Sequence, residues 1–195
     1  MARNLEKYRV RVLCEDRAQY EFIRGFLTDQ GIKNNRRISP SHSLPEGTQS
    51  GEQFVREHFT ADFRTYARRR ENILLVVVQD IDRADKSVDD AKNEFSRLVH
   101  DAGMRGFAAA DKLLFVFPKR NIETWFEWLQ QTPPKGIISE DGDFKQKHKQ
   151  SPSGRLGRNA SELYTKNIGD TTVCENAPSS LIAACENYKA LCEVL

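Results

Sequence analysis

Hydrophobic residues along this chain form short continuous runs and helical repeats, and the two patterns alternate. A short run rich in β-branched residues is typical of a strand that is covered on both faces. The runs predict strands at 8–14, 73–78 and 112–117, with a short further strand around Ile38. Strands that alternate with helices indicate parallel, right-handed β-α-β units. The predicted fold class is therefore α/β, a Rossmann-like, mostly parallel sheet flanked by helices.

The helical repeats carry apolar residues three or four positions apart between the predicted strands. They predict helices over about 20–30, 50–69, 88–102, 121–130 and 181–195. Ser50 and Gln53 fit a capping box at the start of the second helix. Asn121 fits an N-cap of the fourth helix. Each strand of the predicted sheet is thus followed by a helix that can cover it.

The chain length and a polar segment define the expected domain organisation. A length of 195 residues favours a single domain, with a core over about 8–130 and a C-terminal extension, 131–195, that packs on it. From Pro133 to about Ser161 the apolar periodicity fades, and we expect a long, mobile loop there. The helix at the end of the chain follows this loop.

Composition argues against several classes of protein. No apolar run approaches the roughly 18 residues of a membrane-spanning helix, and the first residues lack the apolar stretch of a signal peptide. We therefore expect a cytoplasmic protein without a membrane partner. The four cysteines contain no CxxC pair, which disfavours a zinc site or a disulfide framework.

Basic residues are clustered, although the net charge is only +2. Clusters of this kind can follow a phosphate backbone, and they are equally well explained as solvated surface that keeps a protein soluble. The two clusters comprise Arg64, Arg68, Arg69 and Arg70, and then Lys145, Lys147, Lys149, Arg155 and Arg158.

Acidic side chains follow each of the three longer strands. Glu15 follows the first, Asp80 and Asp82 follow the second, and Glu123 comes soon after the third. The carboxyl ends of parallel strands meet at one edge of a sheet, so we expect these side chains to converge there. Crowded carboxylates raise one another's pKa, and Mg²⁺ or Mn²⁺ would relieve that repulsion through oxygen ligands. Such an ion activates water for attack on a phosphoryl group.

Individual residues of this set also have structural explanations. Asp80 and Asp82 also suit loop caps, and Glu123 also suits the N-terminus of a helix through the helix dipole. Lys119 and Arg120 either hold a phosphate or pair with the neighbouring acids. The sequence leaves both explanations open for each of these residues.

Three segments resemble the TOPRIM domain of topoisomerases, bacterial primases, recombination-mediator proteins and overcoming-lysogenization-defect nucleases. Residues 10–15 form a strand that ends in Glu, and residues 76–82 form a strand that ends in Asp-x-Asp. Residues 117–125 resemble the Pro…Ile-Glu-x-Trp segment of small stand-alone TOPRIM-like proteins of prokaryotic defence loci. Within the matched region, which covers about 8–130, Asp16 stands where Gly is frequent and Gln19 where Asp is frequent.

The resemblance implies a TOPRIM-like fold and a Mg²⁺- or Mn²⁺-dependent nuclease, or nuclease-like subunit, of anti-phage defence. It would hydrolyse phosphodiesters of DNA or RNA. Glu15 would be the general acid/base or a metal ligand, and Asp80 and Asp82 would bind the metal. Glu123 would complete the site or orient water. The residues expected to position nucleic acid are Arg68, Arg69, Arg70, Lys119 and Arg120.

The implied partners are nucleic acid and an ATPase subunit, since the chain has no P-loop motif of its own. A homo-oligomer is compatible with these expectations. One alternative function is a non-catalytic effector or binding subunit that works with an ATPase partner. Another is a small-molecule phosphohydrolase of the haloacid-dehalogenase type, which Asp-Ile-Asp after a strand also resembles. That enzyme would leave Glu15 unexplained, and Ala84 stands where it needs Thr or Val.

Overall fold

The fold is built on a four-stranded sheet in which all neighbouring strands are parallel, in the order β2-β1-β3-β4. The structure is a computed structural model. It describes residues 5–33, 35–45, 50–68, 72–108, 110–131, 138–140, 142, 144–148, 153–167 and 176–195. The strands are β1 Arg9–Leu13, β2 Ile38–Pro40, β3 Ile73–Val78 and β4 Leu113–Val116. The predicted α/β class with a parallel, Rossmann-like sheet is confirmed.

The described part of the chain has seven α-helices, of which the periodicity predicts five. The seven helices are α1 Arg17–Asp29, α2 Gly51–Asp62, α3 Val88–Asp101, α4 Ile122–Gln130, α5 Lys145–His148, α6 Ser153–Asn167 and α7 Ser179–Val194. A π-helical turn, Phe63–Ala67, continues α2. Among the residues that the structure describes, no helix combines the length and apolarity needed to cross a bilayer.

The sheet is covered on both faces, and this explains why its strands are continuously apolar. Val12 and Val76 pack into a core that α1, α4, α6 and α7 complete on one face. Leu75, Val77 and Phe115 pack into a second core, with α2 and α3, on the opposite face. All of β3 after its first residue is buried. Two-sided burial leaves the strand ends as the part of the sheet where polar side chains can gather.

The two predicted helix caps have different outcomes. Asn121 is the N-cap of α4, and its side chain accepts a hydrogen bond from the backbone N–H three residues later, at 3.2 Å. Ser50 is the N-cap of α2, but its side chain makes no capping hydrogen bond, so the predicted capping box is wrong. The amide of Gln53 instead donates to Glu57, one turn further along the helix, at 2.7 Å.

The polar segment predicted to be a loop contains helix α6, so the expectation of a long mobile loop up to Ser161 is wrong from Ser153 onwards. Part of the remaining segment forms α5, and 133–137, 141, 143 and 149–152 lie outside the described residues. Helix α6 packs closely against α1. A Cβ atom on Gly157 would lie only 2.3 Å from the carbonyl oxygen of Ala18. Leu156, Ala160, Leu163 and Tyr164 pack on the core at helical spacing, so α6 has an apolar stripe that the many polar residues around it obscure in the sequence.

The cysteines are consistent with the absence of a disulfide framework over the described residues. Cys14, Cys185 and Cys192 are free thiols, and Cys174 lies outside the described residues. Cys14 is buried, whereas the other two described thiols are half-buried.

Candidate active site

The strand order reverses between β1 and β3, because β2 lies on one side of this pair and β4 on the other. Connections leave such a switch point on opposite faces of the sheet, and the crevice between them is where α/β proteins bind ligands. Helix α1 follows β1 on one face, and α2 packs on the other. Glu15 and Asp80 come directly after these two strands. The predicted acids therefore lie at the ligand-binding position of the fold.

Glu15 and Asp80 are linked to each other. The backbone N–H of Asp80 donates a hydrogen bond to Oε1 of Glu15 at 2.9 Å. Gln19 of α1 bridges the same two residues, donating from Nε2 to Oδ1 of Asp80 at 3.0 Å and accepting from the N–H of Glu15 at 2.9 Å. The side chain of Asp80 is only 2% exposed. The ends of the two strands are thus held together as one unit.

The start of α1 gives structural roles to Asp16 and Gln19. Asp16 is the N-cap of α1, and its side chain accepts a hydrogen bond from the N–H of Gln19 at 2.9 Å. Gln19 is fully buried and supplies the amide that bridges the strand ends. An aspartate at 19 would bring a further negative charge beside Asp80. In this chain a neutral hydrogen-bonding side chain takes that place.

The first residue of α2 lies against Glu15. A Cβ atom on Gly51 would stand 2.6 Å from Cβ of Glu15 and 2.9 Å from its Oε2. The absence of a side chain at Gly51 therefore lets the N-terminus of α2 approach the carboxylate. The positive end of a helix dipole favours a nearby negative charge, by about 0.3–1 kcal/mol at exposed sites. This contact connects residues far apart in the chain, so no local sequence pattern reveals it.

A lysine that sequence analysis did not include among the site residues faces the acids. Nζ of Lys145, in α5, lies 3.6 Å from Oδ2 of Asp80, an ion pair longer than a direct hydrogen bond. Burial lowers the pKa of Lys145, but the negative charges of the surrounding acids outweigh burial and raise it. These acids are Asp80, Asp82, Glu123 and Glu15. The only sequence signal was its place in a basic segment.

The carboxyl groups of the site hold protons more tightly than usual. Burial raises the pKa of Glu15 to about 8, against the opposing effects of the Asp80 N–H and the Lys145 charge. Burial, followed by the charge of Glu15, raises the pKa of Asp80. Burial also raises the pKa of Glu123. Near neutral pH the site is therefore neutralised partly by bound protons and partly by Lys145.

The other two predicted acids lie at the same edge of the sheet. Asp82 is exposed, and its charge acts on both Glu15 and Lys145. Glu123 is half-buried at the start of α4, and its Oε2 is a buried atom without a hydrogen-bond partner among the described residues. The structure thus brings all four predicted carboxylates to one edge, as expected for ends of parallel strands.

The predicted basic residues are divided between two places. Arg120 has a positive φ of 65°, and its guanidinium donates to the backbone carbonyl of Asp82. Lys119 forms a parallel bridge with Ile81, so both basic residues lie at the acidic edge.

Arg68 lies elsewhere, near the N-terminal ends of β3 and β4, where it donates to the Gly106 carbonyl at 3.1 Å. The structure does not bring Arg68 to the acids. Arg69 and Arg70 lie outside the described residues.

The donor atoms of the site suit a hard divalent cation in their chemistry, since the four acids offer only carboxylate oxygens. The buried Oε2 of Glu123 is one such oxygen that no described hydrogen bond uses. In the present arrangement, however, no three His, Cys, Asp or Glu side chains of the described segments converge closely enough to hold an ion. The position facing Asp80 carries the ammonium of Lys145 instead.

The TOPRIM resemblance depends on the three segments that end or follow β1, β3 and β4, and the geometry described above is independent of it. Comparison of the chain with protein-family models, with curated proteins and with solved structures gives no match.

Proposed function

We propose that this chain is a metal-dependent phosphodiesterase of the nuclease type, acting on DNA or RNA. The observation that carries the proposal is the linked pair Glu15 and Asp80 at the switch point between β1 and β3. Two carboxylates held together in a ligand-binding crevice, with two more at the same edge, are typical of sites that handle a cation and a phosphoryl group.

Mg²⁺ or Mn²⁺, when bound, would activate a water molecule and offset the negative charge that develops on the phosphoryl group. Asp80 and Asp82 would hold the cation, Glu15 would either join them or act as the general acid/base, and Glu123 would complete the surroundings of the cation or orient the water. Lys119 lies at the same edge, where a positive charge can attract the phosphate backbone. No groove-reading motif is visible in the sequence, so we propose cleavage without base-specific recognition.

Glu15 is the proposed proton-transfer group. Its pKa of about 8 lies near neutral pH, where a group can both take up and release a proton efficiently. Oε1 accepts the N–H of Asp80, so Oε2 is the oxygen that remains for proton exchange. In hydrolysis the water oxygen bonds to phosphorus, the ester P–O bond breaks, and the leaving oxygen takes up a proton. The ionised form of Glu15 would receive the proton lost by the attacking water, and the leaving oxygen would take its proton from the solvent.

The experiment measures cleavage of plasmid DNA and single-stranded RNA with Mg²⁺ or Mn²⁺ by the purified chain. Asp80→Asn and Glu15→Gln are each expected to lower the rate by about 100-fold or more, the usual range for losing a general acid/base. Asp85→Asn is the matched control, since Asp85 is an exposed acid near the site that pairs with Arg83 at 2.6 Å. A rate that both site variants retain would refute the proposal.

The non-catalytic alternative has one observation in its favour. A lysine already faces Asp80, and the described acids do not form a ready three-ligand group. Under this alternative the acids stabilise the strand ends, and activity resides in an ATPase partner. Metal binding without cleavage, in a folded protein, would favour this function. The proposed setting, anti-phage defence in the cytoplasm of a prokaryote, is supported by the TOPRIM resemblance alone.

A further inference from the structure

The short helix α5 carries a positive charge into the acidic site from a distant part of the sequence. Nζ of Lys145 lies 3.6 Å from Asp80, and the charges of four acids act on it together. The side chain of Lys145 is 47% exposed, so it contacts the site from the solvent side. Lys145 is therefore a surface side chain that neutralises a buried carboxylate.

A divalent cation would favour the same position as this ammonium. The attraction of a cation depends on its distances from the carboxylates, and the four that act on Lys145 include all three proposed metal ligands. Two positive charges that share one set of carboxylates also repel each other, most strongly beside the buried carboxylate of Asp80. Bound metal and docked Lys145 should therefore exclude each other.

A second contact holds α5 in place without using the acids of the site. Glu127 of α4 contacts Nζ of Lys147 at 2.5 Å and Nε2 of His148 at 2.9 Å. Both partners belong to α5, so a single carboxylate attaches this short helix to α4. This attachment does not involve Lys145, so it does not depend on the contact between Lys145 and Asp80.

We propose that Lys145 is a built-in counter-ion that occupies the cation position of the acidic edge and must move away from Asp80 before a divalent metal binds. This inference rests on the proposed function, because it assumes that Asp80 and Asp82, alone or with Glu15, bind metal. It explains why the acids sit together in the described arrangement without forming a three-ligand group. The lysine then sets the metal concentration at which the site becomes active.

The first test is calorimetric titration of the full chain with Mn²⁺. We expect Lys145→Met and Lys145→Gln each to bind Mn²⁺ at least about tenfold more tightly than the original chain, since a competing charge is removed. Lys86→Met is the control, because it removes the same charge near the same edge but from a lysine that pairs with Glu94 at 2.7 Å. Its Mn²⁺ affinity should stay within about twofold of the original chain.

The second test uses the unmodified chain and so does not depend on the folding of a variant. Amine acetylation followed by mass spectrometry should show Lys145 reacting several times faster when Mn²⁺ is present, with Lys86 as the internal reference. Equal or weaker Mn²⁺ binding by both Lys145 variants, or unchanged Lys145 acetylation, would overturn the inference and leave the proposed metal site intact. If no form of the chain binds Mn²⁺, both this inference and the proposed metal dependence are refuted.

Discussion

The backbone N–H of Asp80 donates a hydrogen bond to the carboxylate of Glu15 at 2.9 Å, so the side chain proposed for proton transfer also joins the ends of β1 and β3. One residue thus serves both the fold and the chemistry of the site. The carboxyl group is largely removed from water, and its pKa is raised to about 8. Its ionisation therefore affects the stability of the folded chain as well as any reaction.

Stability should fall as the pH rises from about 5 to about 8. An unfolded Glu has a pKa of about 4.3, whereas folded Glu15 has a pKa of about 8. Between these values the folded chain binds more protons, so raising the pH favours unfolding. The glutamine side chain of Glu15→Gln cannot ionise. The difference in the free energy of unfolding between this variant and the original chain should therefore shift in favour of the variant by about 2–4 kcal/mol between pH 5 and pH 9.

Urea unfolding at pH 5, 7 and 9 measures this difference. Glu162→Gln is the matched control, since Glu162 is an exposed residue of α6. The free energy of unfolding of Glu162→Gln should change with pH in the same way as that of the original chain. A parallel curve for Glu15→Gln as well would show that the Glu15 carboxyl group is not buried as described.

Two fully buried glutamines should respond in opposite ways to the same substitution. Gln19 uses both ends of its amide, towards Asp80 and Glu15. Neither end of the Gln79 amide has a hydrogen-bond partner in the described part of the chain. Gln19→Met should destabilise the fold by about 1–3 kcal/mol, because it leaves a buried acceptor of Asp80 unsatisfied.

Gln79→Met should be neutral or stabilising by about 1 kcal/mol, because it removes an amide whose hydrogen bonds are already lost. The two variants are compared by thermal and urea unfolding at one pH. Equal destabilisation would mean that Gln79 has polar partners, such as ordered water, comparable to those of Gln19.

The parallel sheet and its acidic edge were predictable because both depend on local patterns. The run 73–78 is apolar because both faces of β3 are covered, and the acids come directly after strands whose ends share one edge. Asn121 was recognisable as an N-cap because its hydrogen bond is made within a single helical turn. Each of these features depends on residues close together in the chain or on the period of burial.

The features that the sequence did not reveal depend on distant contacts or on small residues. Helix α6 packs on the core through Leu156, Ala160, Leu163 and Tyr164, an apolar stripe that the surrounding polar residues hid, and its close approach to α1 depends on Gly157. Lys145 belongs to a polar segment, and it reaches Asp80 across 65 positions of the chain because α5 is attached to Glu127. No local pattern distinguishes such a lysine from one on a solvated surface.

Glu140 should stabilise the start of α7 from a distance. Pro178 is the N-cap of this helix and has no side-chain hydrogen bond to offer. The carboxylate of Glu140 instead accepts from the N–H groups of Ser179 and Ser180 at 2.9 Å and 3.1 Å. Glu140→Ala should cost about 1–2 kcal/mol of unfolding free energy, as expected for loss of an N-cap acceptor with a favourable charge.

The control for Glu140→Ala is Glu186→Ala, which removes an exposed carboxylate from the middle of α7. Urea unfolding of the two variants should differ by at least about 1 kcal/mol. Hydrogen exchange should also be faster at the first residues of α7 in Glu140→Ala alone. If both variants unfold like the original chain, the carboxylate does not cap this helix in solution.

The contact between α1 and α6 predicts opposite effects of alanine at two glycines of the same helix. A Cβ on Gly157 would lie 2.3 Å from the Ala18 carbonyl oxygen and 3.0 Å from the backbone nitrogen of Phe22, so the helices would have to separate. Gly157→Ala should destabilise the fold by about 1–3 kcal/mol, the usual cost of overpacking.

A Cβ on Gly154 would meet its nearest neighbour, Cγ of Glu21, at 3.5 Å, an ordinary contact. Gly154→Ala should therefore be neutral or stabilising by up to about 1 kcal/mol through helix propensity. Urea unfolding distinguishes the two, and equal effects would mean that α6 does not approach α1 through Gly157.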